Sequence, residues 1–332
     1  MTDAVRTWGS AARRGGWRDR PRRMAWLALG WAVAQGGFAL ITALHGRGPT
    51  ALAWFVVAVA ALAAVAAVAA ARGLDRPGLR VVLRGACGLS AASAFGLLMD
   101  VAGLLFGQGA DDPAATVLRA LGLLGAVLLA LTARNSGALP AARPAGTTAP
   151  PPPVPRGVRL AAYAGTVAFV PYAAMKLCWA LGGTFAGISG AQMYEISRRN
   201  GASGIWLTLQ SWGLDGTVLL AALGVFLLFG LIRPWGLVFP RWAPGLSGRR
   251  VPRWLPLTPA LIGAATLVPY GVLGTGYLTL VSFGVFSIPR GDFPTEQDTL
   301  LVGWIGMGAF AVYGVALLAA ARSYWLRTRY IK

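Results

Sequence analysis

Charge is what this sequence has least of. Only 12% of its 332 residues are charged, with eleven acids, one histidine (His45) and two lysines, Lys176 and the final Lys332. Soluble domains carry about a quarter charged residues, so this scarcity beside 56% hydrophobic residues points to an integral membrane protein. One histidine excludes a multi-histidine metal centre, and no H-E-x-x-H, P-loop or dinucleotide fingerprint occurs. The expectation is no metal, no cofactor and no recognisable catalytic motif, so enzyme status stays open and leans to no. The two cysteines, Cys87 and Cys178, differ in expected depth by about 20 Å and cannot form a disulfide.

What is present is apolar length. Eight segments reach the roughly 20 residues that a helical span needs, at about 24–44, 51–71, 83–107, 115–133, 159–182, 204–232, 255–286 and 300–322. The fold class expected is all-α, a polytopic transmembrane helical bundle of about eight spans arranged 4+4. An arginine-rich N-terminus (1–23) precedes a first four-helix half (24–133). A proline-rich linker (134–158), extended rather than helical, leads to a second half (159–323) and a basic tail (324–332). The first span reads as a signal anchor, since no A-x-A-like cleavage site follows it.

The formal charge of +19 is unevenly distributed. Twenty-four of the 30 basic residues fall in alternate hydrophilic segments, whereas the other connections hold five beside six acids. The positive-inside rule then assigns both termini to the cytoplasm, in a cytoplasmic membrane. The partner expected on that face is a bilayer with anionic head groups, each nearby arginine adding about 1 kcal/mol of attraction. No nucleic-acid signature accompanies the basic residues.

Four charges lie within the expected spans: Asp100, Arg119, Lys176 and Asp215, about 10, 6, 9 and 16 Å deep at 1.5 Å per residue. They form two acid-base sets on adjacent helices, Asp100 with Arg119 and Lys176 with Asp215. An unpaired charge at mid-bilayer costs at least about 2.5 kcal/mol, so each should find protein, water or a partner. Lys176 alternatively snorkels to the outer head groups. Asp215, deepest and set between glycines in SWGLDGTV, is either a charge relay or a carboxylate that caps or pins a helix. The outer connection at 183–203 spaces Gln192, Tyr194, Glu195, Arg198 and Arg199 as a short interfacial helix lidding Lys176 and Asp215. Asp111 and Asp112, before Pro113, read as a turn.

VPYAAMKLCW at 170–179 is echoed by VPYGVLGTGY at 268–277, bringing Tyr172 into register with Tyr270. Pro171 and Pro269 each remove a helix hydrogen bond, so kinks are expected in both helices. The second, 32 residues or about 48 Å long, is expected to tilt strongly, break or project outward, with Gly271, Gly274 and Gly276 just after Pro269 marking the place of a break. The alanine-rich second span is expected in a central packing position.

GISG at 187–190 and GLSG at 245–248 resemble the serine motif of rhomboid-type intramembrane proteases, but both fall in loops and His45 lacks the accompanying glycines. Tyr172, Lys176, Trp179 and Gly182 carry a different likeness. VPYAAMKLCWALGG resembles a motif of a polytopic integral membrane protein family of high-GC actinobacteria with no assigned activity. That resemblance implies a membrane protein and adds no catalytic residue. The function expected is permease-like handling of a small solute, lipid or proton, with Lys176, Asp215, Asp100, Arg119 and Tyr172 as binding or charge-relay candidates. The alternative is a non-catalytic membrane scaffold or accessory subunit.

Overall fold

A computed structural model describes residues 20–46, 50–74, 77–105, 112–135, 152–202, 204–241 and 245–328. Most of the arginine-rich N-terminus, the centre of the linker, Asp111 and the last four residues lie outside this range. The described chain is an all-α helical bundle, with one two-residue hairpin as its only sheet. Six helices are long and apolar enough to cross a membrane, a seventh candidate is a bent helix pair, and Gly216–Ile232 is a shorter apolar helix. Large side chains such as Val65, Val167, Leu223 and Ile262 are exposed, while alanines and glycines fill the interior. Such an inverted distribution suits lipid rather than water. The chain is a multi-pass membrane protein.

Contacts divide it into two compact units, Met1–Leu97 with Asp111–Arg143, and Leu98–Ala110 with Pro144–Lys332. Residues 98–110, expected with the first half, therefore group with the second.

In the first unit α1 (Arg20–Leu44), α2 (Thr50–Ala71), α3 (Pro77–Ser93) and α5 (Pro113–Asn135) pack together. Between them in sequence lies α4 (Leu97–Leu105), separated from α3 by a turn at 94–96, so the expected third span is broken. The α2 helix buries Ala53, Val56, Ala60, Ala63 and Ala67 on one stripe, consistent with its expected packing role. Small residues matter here because lipid offers helices no hydrophobic drive to associate, leaving close packing and interhelical hydrogen bonds. The Trp31 indole donates to the Leu121 carbonyl at 2.8 Å, and its ring fills the space that a side chain on Gly125 would need. Ser90 donates to the Gly122 carbonyl at 2.9 Å, joining α3 to α5. Asp112 accepts from the Ala114 and Ala115 amides and so caps α5.

The second unit contains α6 (Arg156–Ala180), β1 (Thr184–Phe185), β2 (Ile188–Ser189), α7 (Gly190–Arg199), α8 (Ile205–Ser211), α9 (Gly216–Ile232), a 3-10 turn (Pro234–Gly236), α10 (Trp254–Ser282) and α11 (Glu296–Thr328). The 33 residues of α11 extend about 50 Å. It is the central element, packed on both α6 and α10. A Cβ on Gly271 would come within 2.3 Å of the Ala311 backbone, one on Gly314 within 3.0 Å of the Val268 nitrogen, and one on Gly165 within 2.9 Å of Ala316. These glycines let the backbones meet.

That seam corrects the expected break. The α10 helix runs without interruption through Pro269, Gly271, Gly274 and Gly276, and α6 likewise continues through Pro171. Gly271 is present because α11 is too close for any side chain. Within the second unit it is the expected 204–232 span that breaks, at 212–215.

Gly271→Leu should cost about 3 kcal/mol or more, since rigid backbone rather than a movable side chain stands in the way. Gly276→Leu, whose surroundings are open, should be tolerated. Unfolding in mixed micelles compares the two. In the first unit the amide of Gln35 is buried without a hydrogen bond among the described residues, and Gln35→Leu should stabilise by about 1–3 kcal/mol in the same assay.

Candidate functional site

The break at 212–215 builds the site. Gly213 takes φ +77°, a conformation favouring glycine, and turns the chain after α8. Asp215 then serves as the N-cap of α9. Its Oδ1 accepts from the amides of Thr217 at 2.7 Å and Val218 at 3.2 Å, and from the Thr217 hydroxyl. The carboxylate thus meets free N–H groups and the positive end of the helix dipole together. Gly216 follows because the Trp206 ring occupies the space that a Cβ there would need.

Thr217 also lines a cavity of about 260 Å³ within the second unit. One wall is aromatic, with Phe169 against Tyr313 at 4.6 Å between ring centroids and Tyr172 against Phe310 at 5.3 Å. Leu220, Ala221 and Leu227 of α9 and Leu267 of α10 supply aliphatic surface, and α4 adds Met99 and Ala102. No charged side chain lines it among the described residues. Tyr172 and Tyr313 are buried, and neither hydroxyl hydrogen-bonds to a protein group among the described residues. Gly224 lies opposite the Tyr313 hydroxyl, with a Cβ there only 2.9 Å from it. Chemically, this is an apolar cavity with two tyrosines, Tyr172 and Tyr313, among its lining.

Of the residues singled out from sequence, Tyr172 lines the cavity and Asp215 touches its edge through Thr217. Lys176 does neither. Its Nζ sits 5.8 Å from the centroid of the Trp179 ring, whose indole donates to the carbonyls of Phe185 at 3.3 Å and Ile188 at 3.1 Å. Lysine and tryptophan thus belong to the junction between α6 and the β1–β2 hairpin. No ion pair joins Lys176 to Asp215 among the described residues. Asp100 is half-buried on α4, in the second unit; Arg119 belongs to the first, where its guanidinium lies against Gly96 at the turn after α3. Pro171 and Pro269 lie in their helices outside the lining.

The expected outer helix exists as α7, started by a capping box in which Ser189 accepts from the Gln192 amide and Gln192 from the Ser189 amide. A polar groove of about 720 Å³ runs beside it, lined by Gln192, Glu195, Arg198, Arg199 and Asp292. Its charges are paired and exposed, Arg198 with Glu195 at 2.8 Å and Arg199 with Asp292 at 2.7 Å. Such pairs contribute little and hold no unmet valence for a ligand, so the apolar cavity is the stronger site.

Phe169, Thr217, Phe310 and Tyr313 had no part in the sequence expectations. A signal existed in F-x-x-Y, present at 169–172 and again at 310–313. That spacing puts both rings on one helix face.

The cap and the separate setting of Lys176 make a quantitative prediction. Asp215→Ala should cost about 0.5–2 kcal/mol and Asp215→Asn much less, because asparagine also caps. Lys176→Met combined with Asp215→Asn should be additive within about 0.5 kcal/mol. A coupling well above that, from unfolding of the two single variants and the double variant, would reinstate the ion pair. No family model, curated protein or solved structure matches this chain.

Proposed function

We propose that the protein is a permease-like carrier of a small, largely apolar solute or lipid, held in the cavity of the second unit. The setting is a cytoplasmic membrane, crossed by about eight spans, with both termini cytoplasmic. The single observation that carries this reading is a cavity walled by aromatic and aliphatic side chains whose lining includes Tyr172 and Tyr313, neither of which hydrogen-bonds through its hydroxyl among the described residues. Ligand pockets combine mostly apolar walls with a few polar groups that fix orientation. At about 260 Å³ the chamber lies just below the usual range for drug-sized ligands, which suits a short amphiphile or one end of a longer one.

Of the solutes weighed, the proton is least supported. Among the described residues the cavity has no carboxylate or amine in its walls, and Asp215 commits one carboxylate oxygen to capping α9. The scaffold reading draws on those same structural contacts, namely the cap at Asp215 and the ring contact of Lys176.

Binding separates the two readings. Linear alcohols of increasing length, titrated into the purified full-length protein, should raise its unfolding temperature saturably. Ala221→Phe, which fills the cavity, should abolish the effect. Tyr172→Phe should weaken alcohol binding about two- to tenfold, the worth of one hydrogen bond, while leaving the matching alkane unaffected. A flat response across the series, identical in Ala221→Phe, would leave the scaffold reading in possession.

A further inference from the structure

The cavity of the second unit has a long axis. From α9 it is lined by Thr217, Gly224 and Leu227, which span about 15 Å at 1.5 Å per residue. Phe310, Tyr313 and Leu317 form the row on α11, and Leu267, Gly263 and Pro259 the row on α10. These rows lie side by side. Gly224 is against the Tyr313 hydroxyl and Gly263 against the Leu317 side chain, while Arg327 of α11 reaches the Leu231 carbonyl of α9 at 2.7 Å. So α9 and α11 run in one sense and α10 in the other, each giving successive turns of one face to the space. Spread over that length, about 260 Å³ leaves a mean section of about 20 Å², the width of one extended hydrocarbon chain.

The two ends differ. Beyond Leu227 the core shuts the space, with Leu228 0%, Ala260 1% and Leu317 3% exposed. The Thr217 end meets the turn at 212–215, where Trp212 is 71% exposed, the placement of an indole at a membrane-water interface. Between the ends, no residue of α9 from 217 to 227 is buried. Leu220 of α9 and Met99 of α4 both line the cavity and both also reach the surface. The space therefore adjoins the surface that lipid covers, and a guest from the bilayer has no water to cross.

We infer that the cavity takes one straight acyl chain of a bilayer phospholipid, laid along α9 with its methyl end toward Ala260 and Leu317 and its head group at the 212–215 turn. This rests on the reading of the cavity as a carrier's binding site, and adds the shape, source and direction of the guest.

The test uses full-length protein in an uncharged detergent, with unfolding temperature followed against the mole fraction of guest in the micelle. 1-Decanol and 1-adamantanol have the same number of carbons and one hydroxyl each, the first as a chain and the second as a cage. Decanol should stabilise saturably, at a half-saturating mole fraction at least fivefold below that of adamantanol. Gly263→Leu, which fills the far end beside the movable Leu317 side chain, should weaken decanol at least fivefold and 1-hexanol less than twofold. Dimyristoyl phosphatidylcholine should compete with decanol, whereas diphytanoyl phosphatidylcholine, whose chains carry methyl branches, should not at the same mole fraction. Equal affinity for decanol and adamantanol, or equal competition by both phospholipids, would overturn the straight chain and leave the carrier reading standing. Competition by neither phospholipid would overturn the lipid source and leave a free single-chain amphiphile as the guest. Equal losses of hexanol and decanol in Gly263→Leu would overturn the direction. A flat response to every alcohol would overturn the carrier reading and the chain together. The comparisons in the unaltered protein decide between these outcomes should Gly263→Leu fail to fold.

Discussion

The close approach of α10 and α11 is the constraint from which the second unit follows. Two apolar helices gain nothing from hiding from lipid, so they must gain from dispersion contacts, which fall steeply with distance. Gly271 against Ala311 and Gly314 against Val268 bring backbone to backbone, and Gly165 brings α6 to the same helix. With three helices fixed in this way, the large side chains of the seam can lie only at its margins. Phe169, Tyr172, Phe310 and Tyr313 collect there, and they form the aromatic wall of the cavity.

How much of this was legible in the sequence depends on what hydropathy measures. It measures how far an apolar run extends, and the long helices were found with their ends displaced by a few residues. It does not measure whether the backbone within a run is helical. The runs at 83–107 and 204–232 are apolar throughout, yet both contain non-helical turns, at 94–96 and 212–215. Local chemistry marked the second: Gly213 supplies the turn, and aspartate two residues later is a strong cap. Read only as a charge at a given depth, Asp215 asked for a basic partner. Read as a cap, it already has one in the end of α9.

Glycine after proline was ambiguous for a related reason. Pro269 followed by Gly271, Gly274 and Gly276 is the pattern of a broken helix if the segment stands alone. Against a neighbour it is equally the pattern of a contact seam, since glycines three residues apart lie near one face. Which of these holds depends on a partner 40 residues further along, and no local pattern carries that information. Gly276 differs from the other two in having nothing near it.

The turn before α9 also explains why charge and cavity occur together. Non-helical backbone at membrane depth must satisfy its own polar groups. Gly213 and Leu214 donate back to the carbonyls of Gln210 and Leu209, at 3.0 and 2.9 Å, while the Thr217 amide takes the Asp215 carboxylate and the Val218 amide is shared between that carboxylate and the Asp215 carbonyl at 3.1 Å. Starting there leaves α9 with 17 residues, about 26 Å against a hydrocarbon thickness of about 30 Å. The chamber lies alongside α9 from Thr217 to Leu227, where Ala221 and Gly224 leave the space that larger side chains would fill. The aspartate therefore caps the start of α9, and the small residues just beyond it make room for the cavity. The phenol-bearing side chains of Tyr172 and Tyr313 are, with the Thr217 hydroxyl, the polar side chains among the described residues lining that space.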